Sequence, residues 1–292
     1  MTLEYTKLEN DNYKTLRQVL DNKFKISYAL RLNLKKNKQI FVNDKNTYLD
    51  YILQPNDKII VNLDFDEEND NIIPTKMDLN IVYEDNALLV LNKPAGIAIH
   101  PTMRHFENTL SNGVRYYFDL INLKRKIRPV NRLDINTSGI VIFAKNEYVH
   151  GILSSQMQKG VFKKEYIAIC NGIFDKKEGI IDAPIGRKDN SIIERCVTPS
   201  GQNAITHYKV LQEFENTYAK LQIYLETGRT HQIRVHMSYI GHPILGDSLY
   251  GKSSSLISRQ ALHSYKTIIM HPIINKEMTF IAPIPDDMEK LL

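Results

Sequence analysis

The stretch PVNRLDINTSGIVIFAKN, Pro129–Asn146, joins a polar turn to an apolar run. The run Ile140–Ala144 contains only apolar residues, which is typical of a strand that is buried on both faces. Asp134 precedes this run by a short turn, and residues that position chemistry often lie on such connections. The stretch therefore predicts a central strand with a candidate site at its entrance. A surface salt bridge between Arg132 and Asp134 is the alternative interpretation.

Further strands are predicted on both sides of this stretch. LNIVYEDNALLVLNKPAG, residues 79–96, predicts two strands around a turn at residues 84–86. Later strand patterns occupy residues 164–174, 206–214, 218–227, 263–272 and 277–283. Strands outnumber helices and follow one another directly, so we predict an α+β fold with a mixed, largely antiparallel sheet. Neither common type of glycine-rich phosphate loop occurs in the sequence.

Composition is that of an ordinary globular protein. The 292 residues are 42% hydrophobic and 24% charged, enough for one large or two modest domains. Cys170 and Cys196 form neither a disulfide framework nor a zinc spacing. No apolar run approaches the roughly 20 residues of a membrane helix, and the first residues have no signal-peptide character. We therefore expect a cytoplasmic protein with no membrane partner.

An acidic segment divides the chain. DFDEENDNIIPTKM, residues 64–77, carries Asp64, Asp66, Glu67, Glu68 and Asp70 and little apolar material. Acidic, unpatterned and interrupted by proline, it predicts a linker. We therefore predict a small domain at residues 1–65, a linker at 66–77 and a larger domain at 78–292.

The small domain holds most of the positive charge. Residues 1–63 contain eleven Lys and Arg against seven Asp and Glu, an excess of +4 in a total of +5. Residues 13–24 have helical spacing, and Ser27 is suited to cap a second helix that carries Arg31, Lys35, Lys36 and Lys38. Two short strands are predicted to follow, the first ending at an Asn43–Asp44 turn. The charge indicates a polyanion partner or, equally, a solvated helix face.

This order of elements resembles the S4 RNA-binding domain over about residues 12–63. That family has Pro-Gly-Asp before its last strand, where this chain has Pro55-Asn56-Asp57, and asparagine tolerates the left-handed conformation that glycine adopts. The resemblance implies that the basic side chains Arg31, Lys35, Lys36 and Lys38 bind RNA phosphates, which positions an RNA without determining which sequence is bound.

A second conspicuous segment is LETGRTHQIRVHMSYIGHPILGDSLYG, residues 225–251. Thr230 is suited to cap a helix over residues 231–240 that ends at Gly241. Arg234 on this helix is either a solvated residue or the partner of a carboxylate from elsewhere. His231 and His236 are five residues apart, whereas two metal ligands on one helical face want three or four, so we expect no metal site here. Tyr166, in KKEYIAICNG, is by itself most simply a packing residue.

Taken together, these segments resemble the RluA family of pseudouridine synthases from about Leu79 to the C-terminus. VYEDNALLVLNKPAGIAIHP is similar to the family's first motif and NRLDINTSGIVIFAK to its catalytic motif. KKEYIAICNG resembles the motif with the active-site tyrosine, residues 225–251 match the third motif, and RQALHSYKTIIMHP resembles the closing one. The resemblance implies isomerisation of uridine to pseudouridine within RNA, on a base that is flipped out of its stack.

It also implies roles for individual residues. Asp134 is the catalytic carboxylate, Arg234 its cationic partner, and Tyr166 the residue that packs against the target base. Arg132 holds the gap that the flipped base leaves. The remaining residues of the predicted substrate-binding set are Asn131, Thr137, Arg229, His231 and Leu262. All reacting groups belong to the RNA, so the resemblance implies no cofactor.

Asn131 departs from the family, which usually has histidine before Arg-Leu-Asp. Asparagine forms hydrogen bonds but does not titrate near neutral pH. If the family's histidine only shapes the loop, Asn131 is a fair substitute; if it takes part in the chemistry, the chain is a weakly active or inactive RNA-binding or RNA-chaperone protein. For the active enzyme we expect ribosomal RNA as the substrate, with transfer RNA as the alternative, and a monomer.

Overall fold

The computed structural model describes residues 1–69, 71–102, 106–215 and 217–292. Residues 1–63, here called the N-terminal unit, contain an antiparallel sheet of order β1-β4-β2-β3 beside two helical segments. The elements are β1 (Thr2–Thr6), α1 (Leu16–Gln18) continued by a π-helical turn (Val19–Lys23), α2 (Tyr28–Lys36), β2 (Ile40–Val42), β3 (Lys45–Asn46) and β4 (Lys58–Asn62). The helices pack on the sheet around Leu20, Leu34 and Ile59, so this unit has a core of its own.

Local signals in the N-terminal unit act mostly as predicted. The Ser27 hydroxyl accepts a hydrogen bond from the Leu30 N–H at 3.1 Å and caps α2. Asn43 and Asp44 both have positive φ at the turn between β2 and β3. Asn56 has φ of 71°, the left-handed conformation expected at this position. The sequence did not predict β1, and the first predicted helix is a short α-helix followed by a π turn.

Contrary to our prediction, Arg31 is not placed to bind RNA phosphates. Its side chain is buried, paired with Asp21 and 5.4 Å from the Tyr28 ring centroid. Because Asp21 lies on the preceding helical segment, α2 is rotated so that Arg31 faces inward. Lys35, Lys36 and Lys38 are exposed.

The acidic segment between the two sheets is not a free tether. Glu67 accepts two hydrogen bonds from the Arg128 guanidinium, at 2.7 and 2.5 Å, and the main chain of Phe65 accepts one from Arg125. The predicted linker is therefore fixed along the surface of the larger part of the chain. Asp70, which we included in this segment, lies outside the described residues. The division at residues 1–65, 66–77 and 78–292 stays a prediction.

The larger part is built on a ten-stranded sheet of order β10-β13-β14-β9-β15-β8-β6-β5, with β16 on β15 and β7 on β8. Its strands and the separate hairpin β11–β12 are β5 (Ile81–Glu84), β6 (Leu88–Lys93), β7 (Arg128–Pro129), β8 (Ser138–Ala144), β9 (Lys163–Asn171), β10 (Glu178–Asp182), β11 (Ile185–Arg187), β12 (Arg195–Val197), β13 (Ile205–Phe214), β14 (Tyr218–Leu225), β15 (Leu262–Met270) and β16 (Glu277–Ile281). Within the described residues only β8 and β15 pair in parallel. The mixed, largely antiparallel sheet was predicted correctly.

Helices cover both faces of β8. They are α3 (Leu110–Leu120), α4 (Glu147–Gln158), α5 (Gln232–Tyr239) and α6 (Asp286–Glu289), of which α3 and α4 flank this strand. Val141 and Phe143 share a core with α3, whereas Ile140 and Ile142 share one with α4. All seven residues of β8 are buried, which confirms the strand predicted from its apolar run. The turn that contains Asp134 is thus attached to the most firmly packed strand of the sheet.

A close contact with β15 fixes β8 further. At Gly139, φ is 114° and an added Cβ would lie 2.2 Å from the Ser264 carbonyl oxygen, so only glycine permits β8 and β15 to approach as they do.

The N-terminal unit lies against the start of α4, where Asn33 donates a hydrogen bond to Glu147 at 2.8 Å. In the part of the chain that the structure describes, no helix has the length and apolar character needed to cross a membrane.

Candidate active site

Four elements meet at a cleft beside β8 and β15. Asp134 lies on the turn before β8, Tyr166 on β9, Leu262 at the start of β15 and Arg234 on α5. The complete lining is Arg132, Leu133, Asp134, Thr137, Tyr166, Leu225, Arg229, His231, Gln232, Ile233, Arg234 and Leu262. The structure thus brings together every predicted catalytic and substrate-binding residue except Asn131.

Arg234 joins two carboxylates. Its Nη1 donates a hydrogen bond to Asp134 at 2.9 Å, while Nε and Nη2 form a two-bond contact with Asp247 at 2.7 and 2.9 Å. Burial opposes the charge on Arg234, but the bonds and charges of both carboxylates outweigh it and raise its pKa above the ordinary value. The alternative of a solvated Arg234 is therefore excluded, and Asp134 faces a permanently charged cation.

Asp247 was not predicted as a site residue, although it lies within the quoted segment 225–251. It is 1% exposed and uses both oxygens to hold the guanidinium of Arg234. Its Oδ1 also accepts the Leu249 N–H at 3.1 Å, which ties the loop after α5 to the same carboxylate. Asp247 therefore orients Arg234, which in turn orients Asp134. An aspartate thirteen residues after an arginine has no periodicity that signals such a contact.

His231 is the second neighbour of Asp134. Its Nε2 lies 3.7 Å from Asp134 Oδ2, and its Nδ1 is 2.8 Å from the Tyr250 hydroxyl. The Tyr250 oxygen also accepts the main-chain N–H of Arg195 at 2.8 Å, and we assign the hydroxyl proton to the bond with Nδ1, because Nε2 is the ring nitrogen nearer the acceptor Asp134. Burial lowers the pKa of His231, with the charge of Asp134 acting against it. The neutral imidazole then carries its proton on Nε2, toward Asp134.

The start of α5 differs from the prediction. Thr230 does not cap the helix; His231 occupies that position with φ of 58° and makes no capping hydrogen bond through its side chain. Gln232 shapes the preceding turn instead, because its Oε1 accepts bonds from Arg229 N and Thr227 Oγ1 at 2.9 and 2.8 Å. The left-handed backbone conformation of His231 turns its ring into the cleft.

Tyr166 also lines the cleft. The side chain is 5% exposed, and burial raises the pKa of its phenol above the ordinary value; the Ser264 hydroxyl acts in the opposite direction and the charge of Asp134 in the same one. The phenol is therefore protonated at neutral pH. A buried aromatic ring with a polar tip is suited to pack against a planar base.

Asn131 does not line the cleft. Its side-chain amide donates to the Ile140 carbonyl and accepts the Ile142 N–H, both at 2.9 Å, so both polar groups are used by β8. We predicted a substrate-binding residue; the geometry corrects this to a residue that positions the turn. The bonds need one donor and one acceptor, which an amide supplies without titrating.

The other predicted residues surround Asp134 at different depths. Thr137 is buried and its N–H closes the turn on the Asp134 carbonyl at 3.1 Å. Arg132 is exposed at the mouth. Arg229 is exposed too, and its guanidinium donates to the Asn203 carbonyl and to Gln202 Oε1, each at 2.9 Å. Leu262 supplies an apolar wall.

A buried lysine behind the cleft was also missed. Lys93 is 0% exposed, and its ammonium donates to the carbonyls of Pro94, Ile97 and Ile135 at 2.8, 2.9 and 2.8 Å. Burial lowers its pKa to about 7, with Arg259 acting in the same direction and Asp134 against both. Three carbonyl acceptors satisfy all three N–H groups of the charged form. Lys93 therefore ties the residues after β6 to the turn that carries Asp134.

The two histidines weighed as metal ligands point to different places. His236 is hydrogen-bonded to Thr206 at 2.8 Å and to the Ala183 carbonyl at 2.9 Å, away from the cleft that His231 enters. Across residues 1–69, 71–102, 106–215 and 217–292, no three His, Cys, Asp or Glu side chains are grouped to hold a metal ion.

Comparison with known proteins gives the class. The RNA pseudouridylate synthase family pattern matches residues 87–239. RNA pseudouridine synthase YhcT of Bacillus subtilis (strain 168) is 39% identical over 284 residues, 97% of this chain and 94% of that protein. Ribosomal large subunit pseudouridine synthase D of Pasteurella multocida (strain Pm70) is 37% identical, covering 80% of this chain and 75% of that one. The structure of human RNA Pseudouridylate Synthase Domain Containing 1 matches with TM-score 0.60 and 27% identity, over 70% of this chain and 83% of that chain.

The chain therefore belongs to the RluA family of RNA pseudouridine synthases. Its enzyme class is isomerase, and both the predicted family and the predicted α+β fold are confirmed.

Proposed function

We propose that the protein converts specific uridines of ribosomal RNA to pseudouridine in the cytoplasm, with Asp134 as the catalytic carboxylate. The observation that carries this proposal is the Asp134–Arg234 contact of 2.9 Å in a cleft that Tyr166 also lines. The names of relatives such as ribosomal large subunit pseudouridine synthase D favour ribosomal RNA over transfer RNA. The protein acts as a monomer without a cofactor or a metal.

The reaction rearranges one nucleotide and consumes no co-reactant. The bond between C1′ of the ribose and N1 of uracil breaks, the uracil turns, and C1′ bonds to C5. The proton that C5 loses is matched by the one that N1 gains, so the atoms balance. The target base must first leave its stack to reach the cleft. Asp134, hydrogen-bonded to Arg234, initiates release of the uracil, while Tyr166 packs against the base.

The N-terminal unit serves as a second RNA contact in this proposal. Lys35, Lys36 and Lys38 are exposed at the end of α2, and no carboxylate among the described residues lies within ion-pair distance of them. An S4-like unit of this kind holds structured RNA by its phosphates and leaves the choice of uridine to the cleft.

The decisive variant is Asp134→Asn. It preserves the shape of the side chain and removes its charge, so pseudouridine formation by the pure protein on a large-subunit ribosomal RNA transcript should fall below detection while RNA binding persists. Mapping of pseudouridine in total RNA from cells with and without the gene identifies the site. If cells lose no modified site and the wild-type protein is inactive on both ribosomal and transfer RNA transcripts, the chain is a non-catalytic RNA-binding protein instead.

A further inference from the structure

A second concave surface adjoins the catalytic cleft. It has a volume of about 400 Å³ and is lined by Ile185, Gly186, Arg187, Arg195, Ser200, Gly201, Gln202, Gly228, Arg229 and Thr230. We call it the arginine groove. One wall is the β11–β12 hairpin and the other is the turn before α5. Arg229 lines both the groove and the cleft, so the two are continuous.

The arginines of the chain divide into two groups. Of twelve, Arg104 lies outside the described residues. Seven of the other eleven lie within 4.0 Å of a carboxylate: Arg17, Arg31, Arg115, Arg125, Arg128, Arg234 and Arg259. The four that have no such partner among the described carboxylates are Arg132, Arg187, Arg195 and Arg229. All four line the cleft or the groove.

The groove itself contains no neutralising charge. No Asp or Glu is among its described lining residues. The hairpin loop has two carboxylates: Glu194 is paired with Lys188 at 2.5 Å, and Asp189 does not line the groove. The positive charge of Arg195 extends as far as His231, whose pKa it helps to lower. The groove therefore has a positive field that the protein leaves uncompensated, which favours an anionic ligand.

Guanidinium groups favour a particular kind of anion. Their planar donors match phosphate oxygens in pairs, and they are weakly hydrated compared with ammonium. The groove opens directly into the cleft that receives the target uridine, so a polymer with regularly spaced phosphates can occupy both at once. A single metabolite anion would not need continuity with the cleft.

We propose that the arginine groove binds the phosphodiester backbone of the RNA strand immediately next to the target uridine, with Arg187 and Arg195 as its phosphate ligands. This inference rests on the proposed function, because it places the strand by the cleft. Arg229 has a different part: its bonds to Asn203 and Gln202 build the junction between groove and cleft. Contacts to the neighbouring phosphates hold the strand at the mouth of the cleft, so they contribute to binding of the RNA.

The variants Arg187→Ala, Arg195→Ala and the double variant test this directly. The contact of Arg195 with Tyr250 is made by the main chain, so alanine retains it. The Arg195 guanidinium makes one long hydrogen bond, 3.4 Å to the neighbouring Glu194 carbonyl, and its removal costs the hairpin little. Arg115→Ala is the matched control, since it removes an arginine of α3 that is paired with Asp119 and lies outside the groove.

The first measurement is the affinity for a large-subunit ribosomal RNA transcript over a range of KCl concentrations. Removal of each phosphate ligand should lower the slope of log K against log [salt] by about 0.7, as for single strands, and the double variant should bind about tenfold more weakly. KM should rise by a similar factor with kcat within about twofold of wild type. The control should leave slope and KM unchanged. An unchanged slope and KM in the double variant would overturn the proposal.

Two outcomes separate this proposal from others. If the double variant loses affinity for uridine monophosphate but not for the transcript, the groove binds a free nucleotide and the proposal is wrong. If wild type makes no pseudouridine on any transcript, the proposed function is wrong. The salt dependence of RNA binding still tests whether the groove binds RNA phosphates. Loss of RNA binding in the arginine variants with no turnover in wild type would support the groove alone.

Discussion

The catalytic cleft and the arginine groove share Arg229, but Arg234 in the cleft and the two other arginines of the groove differ in their partners. In the cleft, Arg234 is buried, and its guanidinium donates one hydrogen bond to Asp134 and two to Asp247. In the groove, Arg187 and Arg195 have no carboxylate partner within the described structure. Charges that are matched inside the protein hold a reacting group in place, whereas unmatched charges attract a ligand. Variants in the first region should therefore abolish turnover, and variants in the second should weaken binding.

Arg234→Ala should have the largest effect. It removes the cation beside Asp134 and leaves the buried Asp247 without its charged partner, and breaking a buried ion pair in this way typically destabilises a protein by about 3–5 kcal/mol. We expect turnover to fall at least about a thousandfold, equivalent to roughly 4 kcal/mol of transition-state stabilisation. Because Asp247 is buried, we also expect a lower melting temperature for this variant.

Stability and chemistry are separated by a matched control. Arg128 also makes a two-bond contact with a carboxylate, Glu67, at a place outside the cleft. Arg128→Ala should lower the melting temperature but retain kcat at temperatures where the variant is folded. Near-normal kcat in Arg234→Ala under the same conditions would remove Arg234 from the reaction.

Tyr250→Phe tests the connection between the two regions. Its hydroxyl joins the main chain of Arg195 in the hairpin to His231 beside Asp134. We expect kcat to fall about tenfold, the size of one missing hydrogen bond of about 1.4 kcal/mol, with little change in KM. Loss of the O–H donor to Nδ1 destabilises neutral His231, so its pKa should rise and the acidic limb of the kcat profile should shift to higher pH.

A purely structural role for Tyr250 would give a different result. It would lower the melting temperature and change kcat without moving the acidic limb. The sequence could not have suggested this network, because Arg195, His231 and Tyr250 are far apart in the chain and meet only when the hairpin packs on α5.

Other residues show the same limit. The apolar run of β8 and the matching motifs were enough to predict the strand, the α+β fold, and the presence of Asp134, Tyr166 and Arg234 at one cleft. Lys93 was missed because lysines are rarely fully buried, and only the packed loops reveal three carbonyls around its ammonium. Arg31 was misplaced for a related reason: spacing puts it beside the lysines, but Asp21 decides which way it points.

The exposed lysines of the N-terminal unit offer the smallest expected effect. Changing Lys35, Lys36 and Lys38 together to alanine should weaken binding of the ribosomal RNA transcript about threefold, because exposed ion pairs are each worth only a fraction of a kcal/mol. The slope of log K against log [salt] should flatten. The kcat at saturating RNA should stay unchanged, since phosphate contacts outside the cleft position the RNA without touching the reacting base.

Arg31→Ala supplies the control from the same helix. It removes a buried ion pair with Asp21, so it should lower the stability of the N-terminal unit and leave the salt slope of the folded protein as in wild type. If the triple lysine variant keeps the full salt slope, the N-terminal unit does not bind RNA through α2, and the proposed S4-like role in phosphate binding is wrong. A flattened slope in both the lysine and the groove variants, additive when they are combined, would show that two separate surfaces hold the same RNA.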